Sequence, residues 1–333
     1  MKPTHLLGLA IVFMSPALFP APAMAALIAI TGAGQSNSVL FEINPNTATV
    51  IRQLGDTGLS HITGIAAHPT SGVLFAHRNY RSGSPDFTET GDLFTIDLHT
   101  GAATHVGSTG NLLTDLTFSP TGELYGWLGI DGASAEGKPT HKLVQVNQQT
   151  GGLTLMGDST LAGTNRAGIA FHPNGTLYLK AGETSAPGNL YTVNTIDGDP
   201  NRGAATSPTA LTTATANSLA IDANGNAFSV AFIKNNPNEA AKAHLQSIDL
   251  ATGTVTEVGE IGEYPISALM FANVTAIPEP SSFIVFAMIA VGLVVRRRRN
   301  NVALLSESNP RARVRGYCLS SLLPVVAIAT KQE

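Results

Sequence analysis

The sequence predicts an all-β fold: a β-propeller of five four-stranded blades whose N- and C-terminal strands share one blade, followed by one C-terminal transmembrane helix. Three observations lead there. Two short phrases alternate five times over about 250 residues, each phrase has the chemistry of a β-hairpin, and the two ends of the repeat are complementary halves of one unit.

The first phrase occurs as SVLFEINPNTATV from Ser38, DLFTIDLHTGAATHVG from Asp92, KLVQVNQQTGGLTLMG from Lys142, NLYTVNTIDGDPN from Asn189 and HLQSIDLATGTVTEVG from His244. The second occurs as ITGIAAHPTSGVLFAH from Ile62, LTDLTFSPTGELYGW from Leu113, AGIAFHPNGTLYLKA from Ala167, NSLAIDANGNAFSVA from Asn217 and a truncated ISALMFANVTA from Ile266. In the first, Leu93, Phe94 and Ile96 lie in a strand-length run, a turn closes at Gly101, and a second strand returns. In the second, Pro173 presets one dihedral and Gly175 permits positive φ, so Leu177, Tyr178 and Leu179 resume a strand. Two hairpins make a four-stranded antiparallel sheet, and radial repetition of such sheets is a propeller. The chain enters with ALIAITG (Ala26 to Gly32) and the Ser38 hairpin, which lack a first strand, and leaves with ISALMFAN, a first strand without its hairpin. Together they complete a blade. A β-helix or open solenoid is the competing architecture, but open stacks carry distinct caps rather than complementary halves.

Outside the repeat the chain changes character. Residues 1–25 have a basic Lys2, an apolar core LLGLAIVFM from Leu6 to Met14, and a small-residue site at Ala23 to Ala25, the layout of a secretory signal peptide cleaved between Ala25 and Ala26. A membrane anchor at this end is the alternative, for which the apolar stretch is short. Residues 26–276 form the propeller domain. Counted from Ala26 to Ile277, 10 Lys and Arg face 20 Asp and Glu, a net of −10 within a whole-chain charge of −4. Such a domain repels nucleic acid and anionic membrane surfaces. The one cysteine, Cys318, lies beyond it, so neither a disulfide framework nor a cysteine metal site is available there.

Residues 277–299 contain Pro278, Glu279 and Pro280, then an uncharged run from Phe283 to Val295, then Arg296, Arg297, Arg298 and Arg299. As a helix the run reaches about 20 Å, short of a hydrocarbon core of about 30 Å. The arginines follow the positive-inside bias and snorkel, which makes the mismatch tolerable. A core helix with a solvated basic end, or a nucleic-acid patch, would leave the two prolines without a purpose. The order Pro-Glu-Pro, short apolar helix, arginine cluster resembles the PEP-CTERM sorting signal of Gram-negative bacteria. That resemblance implies an exosortase-type transpeptidase as partner, acting near Pro278, Glu279 and Pro280. It also implies a single helix held transiently in the inner membrane by Arg296 to Arg299, and release to the cell surface, extracellular polysaccharide or matrix. Such signals normally finish a protein, whereas residues 300–333 follow here as a tail of unassigned role.

Catalytic signals are sparse. His68 and His172 both precede a turn proline in matched blade positions, which points to a structural part. The acidic loop DGDPNRG, Asp197 to Gly203, has oxygen ligands for calcium but not the spacing of a twelve-residue calcium loop, and reads as a polar insertion. No GxSxG elbow or histidine-carboxylate metal motif occurs. Tyr125 and Trp127 fit strand packing better than a sugar platform. Two functions remain: a non-enzymatic exported propeller that binds or builds, with no cofactor and no catalytic or metal residue, its phrases resembling the blades of bacterial secreted propellers; or a hydrolase or lactonase with a metal in the central channel. The second requires three or more acidic or amide side chains converging on the axis.

Overall fold

The computed structural model describes residues 25–32, 37–80, 90–129, 141–157, 159–161, 167–183, 186–197, 199, 201–215, 218–234, 236 and 238–272. The chain divides into two compact units, Met1–Ala276 and Ile277–Glu333, and every described residue belongs to the first. Pro278, Glu279, Pro280, Arg296 to Arg299, the expected membrane helix and the tail therefore lie outside the described residues, as does the signal segment up to residue 24. No helix among the described residues is long and apolar enough to cross a membrane.

Among the described residues, twenty strands form five antiparallel four-stranded sheets, the five-bladed propeller the repeat predicts. Blade one is ordered β20 (Ile266–Ala272), β1 (Ala26–Thr31), β2 (Val39–Ile43), β3 (Val50–Asp56). Blade two holds β4 (Ile62–Ala67), β5 (Leu74–Tyr80), β6 (Thr90–Ile96) and β7 (Ala103–Ser108). Blade three holds β8 (Leu113–Phe118), β9 (Leu124–Leu128), β10 (Leu143–Val146) and β11 (Leu153–Leu155). Blade four holds β12 (Gly168–Phe171), β13 (Leu177–Glu183), β14 (Ala186–Val193) and β15 (Ala205–Ala210). Blade five holds β16 (Ala220–Ile221), β17 (Ala227–Ile233), β18 (Lys242–Ile248) and β19 (Val255–Gly262). The shared blade is built as its two half-units require: β20 pairs antiparallel with β1, Leu27 opposite Phe271 and Ala29 opposite Leu269. The innermost strands β20, β4, β8, β12 and β16 neighbour one another in that order, and β16 meets β20 again. The ring is closed.

Five apolar clusters hold the blades together, one in each gap. Strand β1 shows how: Leu27 and Ala29 pack with Phe228, Leu245 and Leu269 toward blade five, while Ile28 and Ile30 pack with Ile62, Ile65 and Leu74 toward blade two. A strand buried on both faces needs a continuous apolar run rather than alternation, which is why these segments read as LIAI and LMF. Each fully buried Leu or Ile contributes about 1.5–3 kcal/mol of transfer free energy.

The glycines of the first phrase have two separate duties. In the turns DLHTG, NQQTG and DLATG, Asp97, Asn147 and Asp249 accept from backbone N–H groups two and three residues on, and Gly101, Gly151 and Gly253 close the turn at φ +79, +74 and +71. The following glycine ends the outer region of the blade and serves close approach instead. A Cβ on Gly55 would stand 2.5 Å from the Thr100 carbonyl of blade two, and one on Gly259 would stand 3.3 Å from the Ala48 Cβ of blade one. Gly107 meets Thr150 and Gly157 meets Arg202 and Gly203 in the same way, while the Gly253 turn rests on Thr209 and Ala210. An outer belt of turn-on-strand contacts thus circles the ring. Blade one carries Ala48 rather than glycine at the turn position, at φ +60 and fully buried. There the methyl packs in the cluster between blades five and one, offsetting a left-handed strain of about 1–2 kcal/mol.

Candidate functional site

The propeller axis is the first place to look, because the inner edge of each blade presents backbone N–H groups with no further strand to receive them. Aligning the inner phrases puts Gly64, Asp115, Gly168, Ser218 and Ala268 at one level of the five innermost segments. Space dictates small residues: a Cβ on Gly64 would lie 2.7 Å from the Leu116 nitrogen, and one on Gly168 would overlap the Ser218–Leu219 peptide. Asp115 is the exception, 1% exposed. Its Oδ1 accepts from its neighbour Leu116 N–H at 2.9 Å; its Oδ2 accepts from Ile169 N–H at 3.1 Å and from Leu219 N–H at 3.4 Å. Ser218 continues the set, its Oγ accepting from Leu269 N–H at 2.7 Å. Two side chains therefore satisfy inward N–H groups from four of the five blades, one of them by tying three blades to a single carboxylate.

Burial pushes the Asp115 carboxyl well above the usual carboxylate range, while the three amide donors and the nearby Lys180 ammonium pull it down. Lys180 is itself fully buried, on β13 opposite Gly168. A third buried titratable group, His77 on β5, bonds Thr109 Oγ1 through Nε2 at 3.0 Å, and burial lowers its pKa to about 3. At this level of the axis one carboxyl group accepts from three backbone donors, with glycine, serine and alanine at the matching positions. Among the described residues no group of three or more His, Cys, Asp or Glu could hold a metal ion.

A second candidate lies off the axis. Between blades three and four, beside the β8–β9, β12–β13 and β14–β15 turns, opens a cleft of about 560 Å³. Its apolar side comes from Pro120, Tyr125, Phe171 and Pro173, with the Tyr125 and Phe171 rings 5.4 Å apart. Its polar side holds Glu123, Gln145, Asn174, Thr195, Asp197 and Arg202. Hydrogen bonds from the Ser119 and Thr121 hydroxyls hold Glu123 below the usual carboxylate range. Arg202 Nη1 pairs with Asp197 Oδ1 at 2.7 Å, while its Nε is buried without a partner.

The residues singled out from sequence fall as follows. The loop Asp197 to Gly203 is the β14–β15 turn, and Arg202 supplies within it the positive charge that an acidic loop invites. His68 Nδ1 accepts from Thr70 and Ser71 N–H at 3.2 Å, and His172 Nδ1 from Asn174 N–H at 3.2 Å. Both rings also lie against the next blade, at Gly122 and Gly225. Trp127 is fully buried and packs as expected, whereas Tyr125, 5% exposed, also lines the cleft beside Phe171. Ala25 and Ala26 sit at the entry to β1, where Ala26 pairs with Ala272. Asp115, Lys180 and Arg202 were not anticipated. For Asp115 a signal existed: an acid in a column otherwise made of Gly, Gly, Ser and Ala.

Comparison with known proteins adds the following. A repeat family of unknown function, DUF6923, matches residues 116–267, less than half of the chain, from within β8 to within β20. No curated protein matches. Among solved structures, the periplasmic gluconolactonase of Pseudomonas aeruginosa is 13% identical with a TM-score of 0.45, over 75% of this chain and 99% of that one. A protein of unknown function from Bacteroides caccae is 13% identical with a TM-score of 0.41, over 74% and 99%. The α-L-arabinofuranosidase of Lactobacillus brevis is 13% identical with a TM-score of 0.42, over 67% and 90%. Likeness at this level transfers no activity, substrate or residue role to this chain.

Proposed function

We propose that this chain is an exported cell-envelope or extracellular-matrix protein, sorted by an exosortase-type transpeptidase through residues 277–299, whose propeller acts as a non-enzymatic binding or structural module. The observation that carries the module reading is the axis: Asp115 is engaged by Leu116, Ile169 and Leu219, and its companions at that level are Gly64, Gly168, Ser218 and Ala268. A hydrolase or lactonase working through a channel metal would need several free carboxylates and amides at that point. The sorting reading is supported by the order Pro278-Glu279-Pro280, apolar run and Arg296 to Arg299, and by the leader ending at Ala25.

Sorting is tested by changing Pro278, Glu279 and Pro280 together to alanine, in hosts with and without exosortase. Hydropathy and the arginines are unchanged, so insertion persists. The variant is expected to stay full-length in the inner membrane, while the parent, with an N-terminus at Ala26, is shortened and released only where exosortase is present. Equal size and location of the parent in both hosts would refute sorting and leave a plain C-terminal anchor.

A further inference from the structure

We infer that the cleft between blades three and four is a binding site for a neutral saccharide, an inference that rests on the binding-module reading above. Its volume of about 560 Å³ lies within the range of small-molecule sites, about 300–1,000 Å³. The type of ligand follows from what the walls leave unengaged. Among the described residues, the Tyr125 hydroxyl, the Gln145 amide and the Thr195 hydroxyl make no hydrogen bond to the protein. Arg202 adds the unpartnered, buried Nε. Glu123 spends Oε2 on the Ser119 and Thr121 hydroxyls and leaves Oε1 as an acceptor.

The lining thus offers both donors and acceptors beside the apolar surfaces of Tyr125, Phe171, Pro120 and Pro173. A ligand that complements this wall carries many groups able both to donate and to accept, together with apolar C–H faces. A polyhydroxylated ring has both.

Charge selects among saccharides. Two carboxylates, Glu123 and Asp197, face one guanidinium, Arg202, which is already paired with Asp197. The balance in the cleft is negative, and the surrounding segment from Ala26 to Ile277 has a net charge of −10. An acidic polymer approaches such a surface against a repulsive field, whereas a neutral one does not. The site is therefore fitted to neutral sugar units rather than to uronates or sulfated chains.

The test uses the full chain in a zwitterionic detergent without a sugar headgroup, with maltotriose, cellotriose, chitotriose and trigalacturonate as probes, read by saturation-transfer NMR and calorimetric titration. At least one neutral trisaccharide is expected to bind at millimolar concentration, with trigalacturonate weaker. Gln145→Ala with Thr195→Ala, which removes two side-chain partners and leaves the Arg202–Asp197 pair in place, is expected to weaken binding on the order of tenfold without moving the melting temperature. Tyr125→Phe, which keeps the packed ring, is expected to weaken it by a smaller factor. Failure of every neutral probe, preference for trigalacturonate, or binding unaffected by these variants would overturn the proposal. Recovery of the bound sugar in cleaved form would overturn the non-enzymatic reading and leave the cleft as the sugar site, so the two failures are distinguishable.

Discussion

Asp115 and His77 show how much of this ring depends on single buried groups. Removing the Asp115 carboxyl leaves the buried Ile169 and Leu219 N–H groups without that acceptor, and an unpaired buried amide costs about 1–3 kcal/mol. Asp115→Ala is therefore expected to lower the unfolding free energy of residues 26–276 by about 3 kcal/mol, and Asp115→Asn by less because one carbonyl acceptor remains; urea titration measures both. His77 sets an acid limit. Its folded pKa is about 3 against an ordinary value of 6.5, so between those pH values the unfolded chain binds a proton that the native chain refuses. The stability this provides is complete above pH 6.5 and is lost as pH falls toward 3, by up to about 5 kcal/mol at 1.36 kcal/mol per pKa unit. His77→Gln is expected to flatten that part of the stability-against-pH curve. Asp115 acts in the opposite sense, since its raised pKa means that the folded state gives up its proton only with difficulty as pH rises past the ordinary carboxylate range.

At the scale of strands and turns, the hairpins and the shared blade were legible because their causes are local: turn chemistry at Asp97 to Gly101 or Pro173 to Gly175, and apolar runs of strand length. The duties of Gly55, Gly107 and Gly259 were not, because each is set by a turn in a neighbouring blade, and a neighbour in space leaves no local mark. The same holds for the cleft. Gln145 and Thr195 are ordinary polar residues in sequence, and only the gap between two blades brings them to one place. The closing strand was legible, and its weight can be measured. Deleting Ile266 to Ala272 leaves the inner edge of β1 unpaired, its other edge still bonded to β2, and opens the cluster in which Leu27, Ala29 and Ile261 pack with Ile266 and Leu269. The truncated domain is expected to aggregate, or to unfold at much lower urea than the parent, by light scattering and circular dichroism. A monomer that melts like the parent would show that closure contributes little.

For the molecule as a whole, charge and architecture divide the work. The net negative charge of residues 26–277 repels anionic surfaces and polymers, while the positive charges gathered at residues 296–299 lie in the proposed sorting segment. Within the propeller, Asp115 and Ser218 bind inward N–H groups of four blades at the axis. The inner positions tolerate little change, since Gly64 and Gly168 already touch the next blade's backbone. Gln145 and Thr195 at the cleft carry no such duty, so substitutions there are expected to leave the ring intact.

The position of β20 also has a bearing on time. Ser267 Oγ donates to the Ile30 carbonyl across 237 residues of sequence, and Gly32 N–H reaches the Pro265 carbonyl. A chain delivered from its N-terminus can build blades two to five one after another, but β1 has no inner neighbour until Ile266 to Ala272 arrives. Contacts so distant in sequence form late, because loop closure has to precede them. The last described strand therefore works as a clock. Until it emerges, the first blade lacks its inner strand, so the propeller closes only when nearly the whole of residues 26–272 has been made.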